Sequence, residues 1–207
     1  MLILASASPR RQEILRSAGI SFEVQPADVD EAVLPNERPR DCAERLAREK
    51  ASRVWRSRRE DTVLGADTIV TVGEAILGKP VDAKDAMRML RMLSGGKHQV
   101  TTGVCLVKLL GTHVAGVDGH RRRNDDLGSE NAWVRTASET TLVTMTELSE
   151  DDIRDYVATG EPMDKAGAYA IQGIASRWIP RIEGDYNNVV GLPMALVYKM
   201  LREKREG

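Results

Sequence analysis

The pattern of apolar residues in the first part of the chain predicts strands that alternate with amphipathic helices. A continuous apolar run at Leu2–Ala5 is typical of a buried strand. Ser8 is a favourable N-cap and Pro9 suits the first helical position, so we expect a helix that ends near Gly19. A longer helix is predicted over 41–57, where apolar residues recur on one face.

The pattern continues in the same way to the end of the chain. Residues 63–70 form an apolar run that one aspartate interrupts, and the spacing over 83–93 is helical. Ser149, followed by Asp152 in the first turn, predicts the start of another helix. The remaining predicted elements are strands at Phe22–Gln25, Ala75–Leu77, Gln99–Leu110 and Thr136–Leu148, the last two paired, and a C-terminal helix after Pro193.

Strands and helices interleave without a strict βαβ repeat, which favours one domain over residues 1–207 with a mixed-sheet α/β or α+β fold. The segment 111–135 stands apart because it is rich in Gly, Asp, Asn and Arg and joins two strands that a short turn could join. We expect a surface insertion there. Its consecutive arginines at 121–123 are balanced by nearby acidic residues, so a solvated loop is favoured over a binding role.

Composition narrows the class of protein. The 207 residues carry 30 Lys and Arg against 31 Asp and Glu, and this balance argues against a dedicated nucleic-acid binder. Only 4% of residues are aromatic, too few for a base-stacking platform. The sequence contains no apolar stretch long enough to span a membrane, and the N-terminus lacks the basic region of a signal peptide. Cys42 and Cys105 cannot form a disulfide framework, so a cytoplasmic protein is the default expectation.

The junction between the first strand and the first helix, Ser6–Arg11, is the first candidate site. A helix N-terminus offers free backbone N–H groups and partial positive charge, and arginine presents a planar fork to phosphate oxygens. These properties indicate an anion site, with phosphate preferred, while an ordinary capped helix with solvent-facing arginines explains the pattern equally well. Arg10 and Arg11 point about 100° apart on a helix, so they cannot share one task.

Asp67 is the second candidate, because it interrupts an otherwise apolar strand. A buried carboxylate needs a cation, a metal or hydrogen-bond donors to stay ionised. The functional interpretation is a general base, a metal ligand, or both. The structural alternative is an ion pair between Asp67 and one buried arginine.

The small-residue run Lys165–Gly173 is the third candidate, because its glycines let the backbone approach a flat ligand and Gln172 supplies a donor and an acceptor. Glu31 in an acidic loop, Lys50 on the long helix and Lys79 complete the set. Carboxylates for a divalent cation, cations for a polyphosphate and an amide for a base outline a nucleotide-polyphosphate hydrolase. The chain has neither a Walker A pattern nor a dinucleotide-binding glycine fingerprint.

The chain resembles the Maf family of nucleoside triphosphate pyrophosphatases over nearly its whole length. The matching blocks are Ala5–Arg11, Asp30-Glu31, Ala47–Ala51, Gly65–Thr68, Gly78–Pro80, Leu93–Gly95 with His98, Gly160–Pro162, Lys165–Tyr169 and Val190–Pro193. Two features depart from the family pattern: the segment 111–135 exceeds the usual short connection, and Ala170 stands where the family often has glycine. The first leaves the chemistry untouched, and the second could slightly reshape the base pocket.

The resemblance implies a two-lobed α/β fold related to the inosine-triphosphatase-like enzymes, with the nucleotide in the cleft between the lobes. It implies hydrolysis of a nucleoside triphosphate to the monophosphate and pyrophosphate, with a divalent metal, Mg²⁺ or Mn²⁺, as cofactor. By motif position, Asp67 is the proton acceptor. The other implied site residues are Ser6, Arg11, Glu31, Lys50 and Lys79 for phosphate and metal, with Glu31 and Asp67 as candidate metal ligands, and Arg10, Thr68 and Gln172 for substrate choice.

Within the family, the run Lys165–Gly173 resembles the dTTP/UTP pyrophosphatase subgroup. Two alternatives stay open: a 7-methyl-GTP or broader nucleotide pyrophosphatase with the same fold, and a nucleotide-binding regulator of cell division. Asp67 argues against a pure binder, because a sensor has little use for a base beside the scissile bond. The expected partner is a nucleoside triphosphate, with no nucleic acid and no membrane, and a homodimer is left open.

Overall fold

A computed structural model describes residues 1–110 and 131–203 of the chain. Strands and helices interleave in it, and the predicted mixed-sheet α/β fold is confirmed. The strands are β1 (Leu2–Leu4), β2 (Glu23–Val24), β3 (Thr62–Val72), β4 (Ala75–Leu77), β5 (Lys97–Leu109), β6 (Ala132–Thr144) and β7 (Arg181–Glu183). The α-helices are α1 (Pro9–Ser17), α2 (Pro39–Trp55), α3 (Ala83–Leu93), α4 (Glu150–Ala158), α5 (Tyr186–Val190) and α6 (Met194–Arg202), and three short 3-10 helices lie at Glu161–Asp164, Ala166–Ala168 and Ile174–Trp178.

The strands form one mixed sheet. Its order is β2-β1-β3-β5-β6-β7, and β4 pairs with β3 off this path. β1 runs parallel to β2 and β3, whereas the β3–β4, β3–β5, β5–β6 and β6–β7 pairs are antiparallel. The long strands β3, β5 and β6 therefore make the middle of the fold.

One edge of β3 is open at its centre. On this edge β1 pairs with residues 62–64 and β4 pairs with residues 70–72, whereas β5 covers the other edge from Val63 to Thr71. Within the described residues, 65–69 thus have no neighbouring strand on one side, and we call this stretch the edge gap. It contains Asp67 and Thr68. Backbone groups at an uncovered edge are accessible to side chains or to a ligand, which makes the gap a place where a site can form.

Two apolar clusters of the core lie at opposite ends of the long strands. At one end, Val70 and Val100 of the sheet pack with Leu90 of α3 and with residues of α4. At the other end, Leu64 and Leu106 pack with residues of α1 and α6. The edge gap lies between these two clusters along β3.

Helix α2 lies very close to the sheet because the strand residues beneath it are glycines. A Cβ added to Gly65 would lie 2.1 Å from Ala47 O, and one added to Gly103 would lie 2.3 Å from Ala43 O. Gly103 pairs with Asp67 across β3 and β5, so both point to the same face of the sheet. The close approach therefore places α2 next to Asp67 on this face of the sheet.

Gly103→Ala is expected to destabilise the protein by ~1–3 kcal/mol, because helix backbone occupies the space that the new methyl group needs. The urea midpoint should fall without a change in the slope of the transition. Gly96→Ala is the matched control, because its added Cβ would make only ordinary contacts at 3.8 Å and beyond. If both variants have equal midpoints, α2 can shift away from the sheet at little cost.

The predicted helix starts are confirmed by their capping bonds. Ser8 Oγ accepts from Arg11 N, and Ser149 and Asp152 form a reciprocal capping box. The helix predicted over 41–57 spans Pro39–Trp55, because the proline occupies its first turn. Across residues 1–110 and 131–203, no helix has the length and apolar character needed to cross a membrane.

The predicted boundaries around the 111–135 insertion are wrong at their C-terminal side. Residues 132–135 belong to β6, in which Ala132 pairs with Leu109 and Arg135 pairs with Leu106. The strand predicted over Thr136–Leu148 accordingly begins earlier and ends at Thr144. The polar composition up to Arg135 concealed this start, where Asn131 turns the chain into β6 with a φ of 59°. The rest of the predicted insertion, 111–130, lies outside the described residues.

Candidate active site

Arg11 is buried at the start of α1 and connects three distant parts of the chain. Its Nη1 donates to Ser6 Oγ at 3.0 Å and to Ala66 O, a carbonyl of the edge gap, at 2.9 Å. Its Nε donates to Gly191 O at 2.8 Å, and its Nη2 donates to Thr68 Oγ1 at 3.0 Å. A guanidinium has five N–H donors, so these bonds leave one for a ligand. Arg11 and Ser6 therefore lie together as predicted, with most of the guanidinium used to hold the site together.

Thr68 belongs to a hydrogen-bond chain that the sequence did not indicate. Thr102 Oγ1 donates its one hydrogen to Asn188 O at 2.9 Å, so Thr68 Oγ1 must be the donor in its 3.0 Å bond to Thr102. Asn188 is fully buried, and its side chain accepts from Thr102 N and donates to β5 and β6. Since Thr68 also accepts from Arg11, its hydroxyl is fixed in orientation on both sides. The sequence gives only a weak indication of Asn188, because it is simply an amide in the helix α5 that Asp185 caps.

Asp67 and Glu31 are joined through Lys50. Lys50 Nζ lies 2.6 Å from Asp67 Oδ1 and 2.5 Å from Glu31 Oε1, and Lys79 Nζ lies 3.1 Å from Glu31 Oε2. Asp67 and Lys50 are buried, whereas Glu31 and Lys79 are exposed. The cation beside Asp67 is thus a lysine rather than the buried arginine of the structural alternative. We call these four residues the ion cluster.

The lysines keep Glu31 ionised. Partial burial by itself raises the pKa of this carboxyl, but hydrogen bonds and charge attraction from Lys50 and Lys79 outweigh it and lower the pKa from 4.5 to about 2. Glu31 therefore carries its negative charge throughout the neutral pH range, and it is available to any cation that enters the cluster.

The edge gap lets two faces of the sheet contribute to one site. Asp67 and Thr68 are adjacent on a strand, so their side chains point to opposite faces. Asp67 meets Lys50 on the α2 side, and Thr68 meets Arg11 on the α1 side. Because no strand of the described chain covers the edge gap, a ligand lying there could contact groups from both faces.

Arg10 lies on the side of α1 that faces the 3-10 helices rather than in the ion cluster. Burial lowers the pKa of its guanidinium, and the charges of Asp164, Tyr156 and Glu161 act in the opposite direction. Arg10 and Arg11 are thus in separate surroundings, as their spacing on the helix predicted. Arg10 is only partly buried, and the acidic or hydroxyl groups near it belong to α4 and to the 3-10 helix that follows α4.

Gln172 is exposed in a turn that is hydrogen-bonded to Glu161 and Tyr156. Tyr156 Oη donates to Glu161 Oε1 at 2.9 Å, and the same carboxylate accepts from Ile174 N at 3.2 Å. Tyr156 Oη also accepts from Ala170 N at 3.3 Å. Both ends of the turn are therefore attached to one carboxylate–phenol pair. The sequence placed Glu161 in a family block but gave it no role.

His98 of β5 is buried and contacts Tyr169, which belongs to the same segment of the chain as Gln172. Its Nε2 lies 2.7 Å from Tyr169 Oη, and within the described chain its Nδ1 has no hydrogen-bond partner. Burial lowers the pKa of His98 from 6.5 to about 4. The imidazole is consequently neutral at pH 7 and supports the turn through Tyr169.

Acid is expected to destabilise the protein through His98. Its pKa is lower in the folded than in the unfolded chain, so its contribution is complete above pH 6.5 and is lost as the pH falls towards 4. The loss should approach ~1.4 kcal/mol per pH unit within this window. Thermal melting of wild type and His98→Gln between pH 7 and pH 4.5 tests it: the variant should show the shallower dependence, and equal dependence would assign the acid sensitivity to other groups.

The residues present fit a hard divalent cation only in part. Glu31 and Asp67 each have an oxygen within 2.6 Å of the same Lys50 nitrogen, so the two carboxylates are close enough to share one cation. Within the described residues, no group of three or more His, Cys, Asp or Glu side chains could hold a metal. Mg²⁺ commonly takes one or two carboxylates together with substrate phosphates and water, and the ion cluster matches that incomplete protein shell.

Taken together, the groups suit hydrolysis of a charged phosphoanhydride. A buried carboxylate lies beside the edge gap, lysines lie next to it, and a helix N-terminus with an arginine opens onto the other face. Carboxylates activate water and bind metals, while lysine, arginine and helix N-termini stabilise anionic leaving groups.

Comparison with known proteins agrees with this chemistry. A family model described as Maf-like protein matches residues 1–204. A protein of Koribacter versatilis named dTTP/UTP pyrophosphatase is 52% identical over 97% of this chain and 93% of its own length. Proteins with the same name from Syntrophomonas wolfei and Aquifex aeolicus are 45% and 44% identical, over 97% and 98% of this chain and 96% and 94% of their own lengths.

Proposed function

We propose, from the premise that this chain belongs to the Maf family, that it is a nucleoside triphosphate pyrophosphatase that hydrolyses dTTP and UTP to the monophosphate and pyrophosphate. The observation that carries the proposal is the buried Asp67–Lys50 pair beside the edge gap, within a chain that matches dTTP/UTP pyrophosphatases along nearly their whole length.

Asp67 is the proposed general base. Its carboxylate would take a proton from the water that attacks the α-phosphorus, and the bond that breaks is the one to the bridging oxygen of the pyrophosphate. Burial keeps bulk water from competing for this carboxylate, and the Lys50 ammonium lies against it at 2.6 Å. Lys50, Lys79 and the remaining Arg11 N–H would then contact the anionic phosphates.

A divalent cation, Mg²⁺ or Mn²⁺, is part of the proposal. When bound, it supplies positive charge that neutralises the leaving pyrophosphate. Glu31 and Asp67 would hold it, and Lys50, which bridges the same two oxygens, would have to move towards the phosphates. The proposal also places the protein in the cytoplasm, where nucleotides are abundant and where the buried thiols of Cys42 and Cys105 stay reduced.

The proposed function is tested by measuring pyrophosphate release from a panel of nucleoside triphosphates with Mg²⁺ or Mn²⁺ present. We expect one pyrophosphate and one monophosphate for each UTP or dTTP consumed, and no inorganic phosphate. Release of phosphate instead would place the cleavage at the γ-position and contradict the reaction type. Faster turnover of 7-methyl-GTP than of either pyrimidine nucleotide would retain the reaction and assign the chain to the other specificity.

A further inference from the structure

The loop that carries Glu31 has no regular structure of its own. Residues 25–38 contain neither helix nor strand, and the Glu31 side chain is 44% exposed. The position of this carboxylate therefore depends on how the loop is attached to the rest of the fold. The contacts of Glu31 with Lys50 and Lys79 are ion pairs at a partly exposed site, and such pairs by themselves hold a loop weakly.

Arg45 of α2 attaches the loop through a forked set of hydrogen bonds. Its Nε and Nη2 donate to the two carboxylate oxygens of Glu37 at 2.6 Å and 2.8 Å. Its Nη2 also donates to Ala32 O at 3.0 Å, directly after Glu31 in the chain. A bidentate pair of this kind fixes direction as well as distance, since both groups are planar.

Glu37 extends the attachment into the loop. Its Oε2 accepts from Leu34 N at 3.1 Å, and its own N–H donates to Leu34 O at the same distance. The hydrogen bonds from Arg45 lower the pKa of Glu37 to about 2 against the opposing effect of burial. The side chains of Arg45 and Glu37 are only 15% and 9% exposed. Removing one partner of such a pair leaves the other charged and poorly hydrated, so the pair resists opening.

Arg45 is itself fixed relative to the ion cluster. Its Nη1 lies 3.2 Å from Glu49 Oε1, one turn further along α2, and Lys50 is the next residue. The helix is in turn held against β3 at Gly65, close to Asp67. Arg45 thus connects the loop that carries Glu31 to the same helix that carries Lys50.

We infer that Arg45 is a positioning residue: through Glu37 and Ala32 it holds Glu31 against Lys50 and Lys79, and so sets the geometry of the ion cluster. The catalytic consequence rests on the proposed function, whereas the structural consequence does not. A remote contact of this kind affects the reaction rate because it sets the sub-ångström placement of groups at the reacting centre.

The structural consequence is tested by hydrogen–deuterium exchange on the full chain. Arg45→Met removes the fork but keeps the aliphatic stem, and Glu37→Gln removes the charge from the opposite side. Both should raise exchange of the amides in residues 30–36 at least tenfold over wild type. Arg40→Met is the control, because Arg40 pairs with Glu44 on the same helix and is 70% exposed. Unchanged exchange in both test variants would overturn the inference, whether or not the protein hydrolyses nucleotides.

The catalytic consequence is tested by a double-mutant cycle with Glu31→Gln. Arg45→Met should lower kcat/KM for UTP about tenfold in the wild-type background, mainly through kcat, because Glu31 is misplaced. In the Glu31→Gln background the same change should cost less than about twofold, because the residue that Arg45 positions is already disabled. An equal loss in both backgrounds would show that Arg45 acts elsewhere and would overturn the inference. Wild-type protein without pyrophosphate release would instead contradict the proposed function, and the exchange experiment would still test whether Arg45 holds the loop that carries Glu31.

Discussion

Asp67→Asn is expected to lower kcat for UTP hydrolysis by ~10²–10⁴-fold, the usual cost of removing a general base. The substitution keeps the shape of the side chain and its position in the middle of β3. Lys50 retains its contact with Glu31, at 2.5 Å, so no buried cation is left without a partner. Nucleotide binding and the melting temperature should therefore change little, and the loss should appear in kcat rather than in KM.

The matched control for this prediction is Asp151→Asn, the same change at an exposed carboxylate that pairs with Arg154 on α4. It should leave kcat and melting temperature at wild-type values. Asp67→Asn with a kcat within tenfold of wild type would show that Asp67 is not the base. A drop in melting temperature with activity lost only in proportion to unfolded protein would make Asp67 a purely structural partner of Lys50.

Local rules of sequence predicted most elements of the fold. Ser8 with Pro9 and Ser149 with Asp152 gave helix starts that the structure confirms, because capping depends on residues within one turn. Asp67 was recognised because a carboxylate in an apolar strand violates a strong preference. The strand over residues 132–135 was missed, since its pairing with β5 is a long-range contact and its own composition is mixed.

The arrangement of the site could not be predicted by such rules. The edge gap exists because β1 and β4 pair with the same edge of β3 at different heights, and no local pattern encodes which edge a strand joins. Arg45 and Glu49 have the four-residue spacing of an ordinary helical ion pair, and no local pattern indicates the additional attachment of Arg45 to Glu37. Asn188 likewise acts through contacts with residues far away in the chain.

Selectivity for uracil and thymine over purines is expected to depend on the turn that presents Gln172. These bases offer carbonyl acceptors on either side of one N–H donor, and a glutamine amide can donate to one and accept from the other. Gln172 is exposed, and the bonds of Glu161 and Tyr156 to Ile174 and Ala170 fix the turn around it. A fixed amide discriminates better than a mobile one, because a mismatched base leaves polar groups unpaired rather than inducing a new conformation.

Wild-type protein should therefore prefer UTP and dTTP over GTP by ~10²-fold or more in kcat/KM, and Gln172→Ala should reduce this ratio at least about tenfold. Most of the change should come from slower UTP hydrolysis, while the slow GTP reaction stays the same, because Gln172 lies outside the ion cluster. Gln99→Ala, a truncation at an exposed glutamine of β5, is the control and should keep the wild-type ratio. Competition assays with mixed nucleotides measure the ratio directly. A Gln172→Ala ratio equal to that of wild type would move base recognition to Arg10, which lies beside the same segment and can donate to a carbonyl.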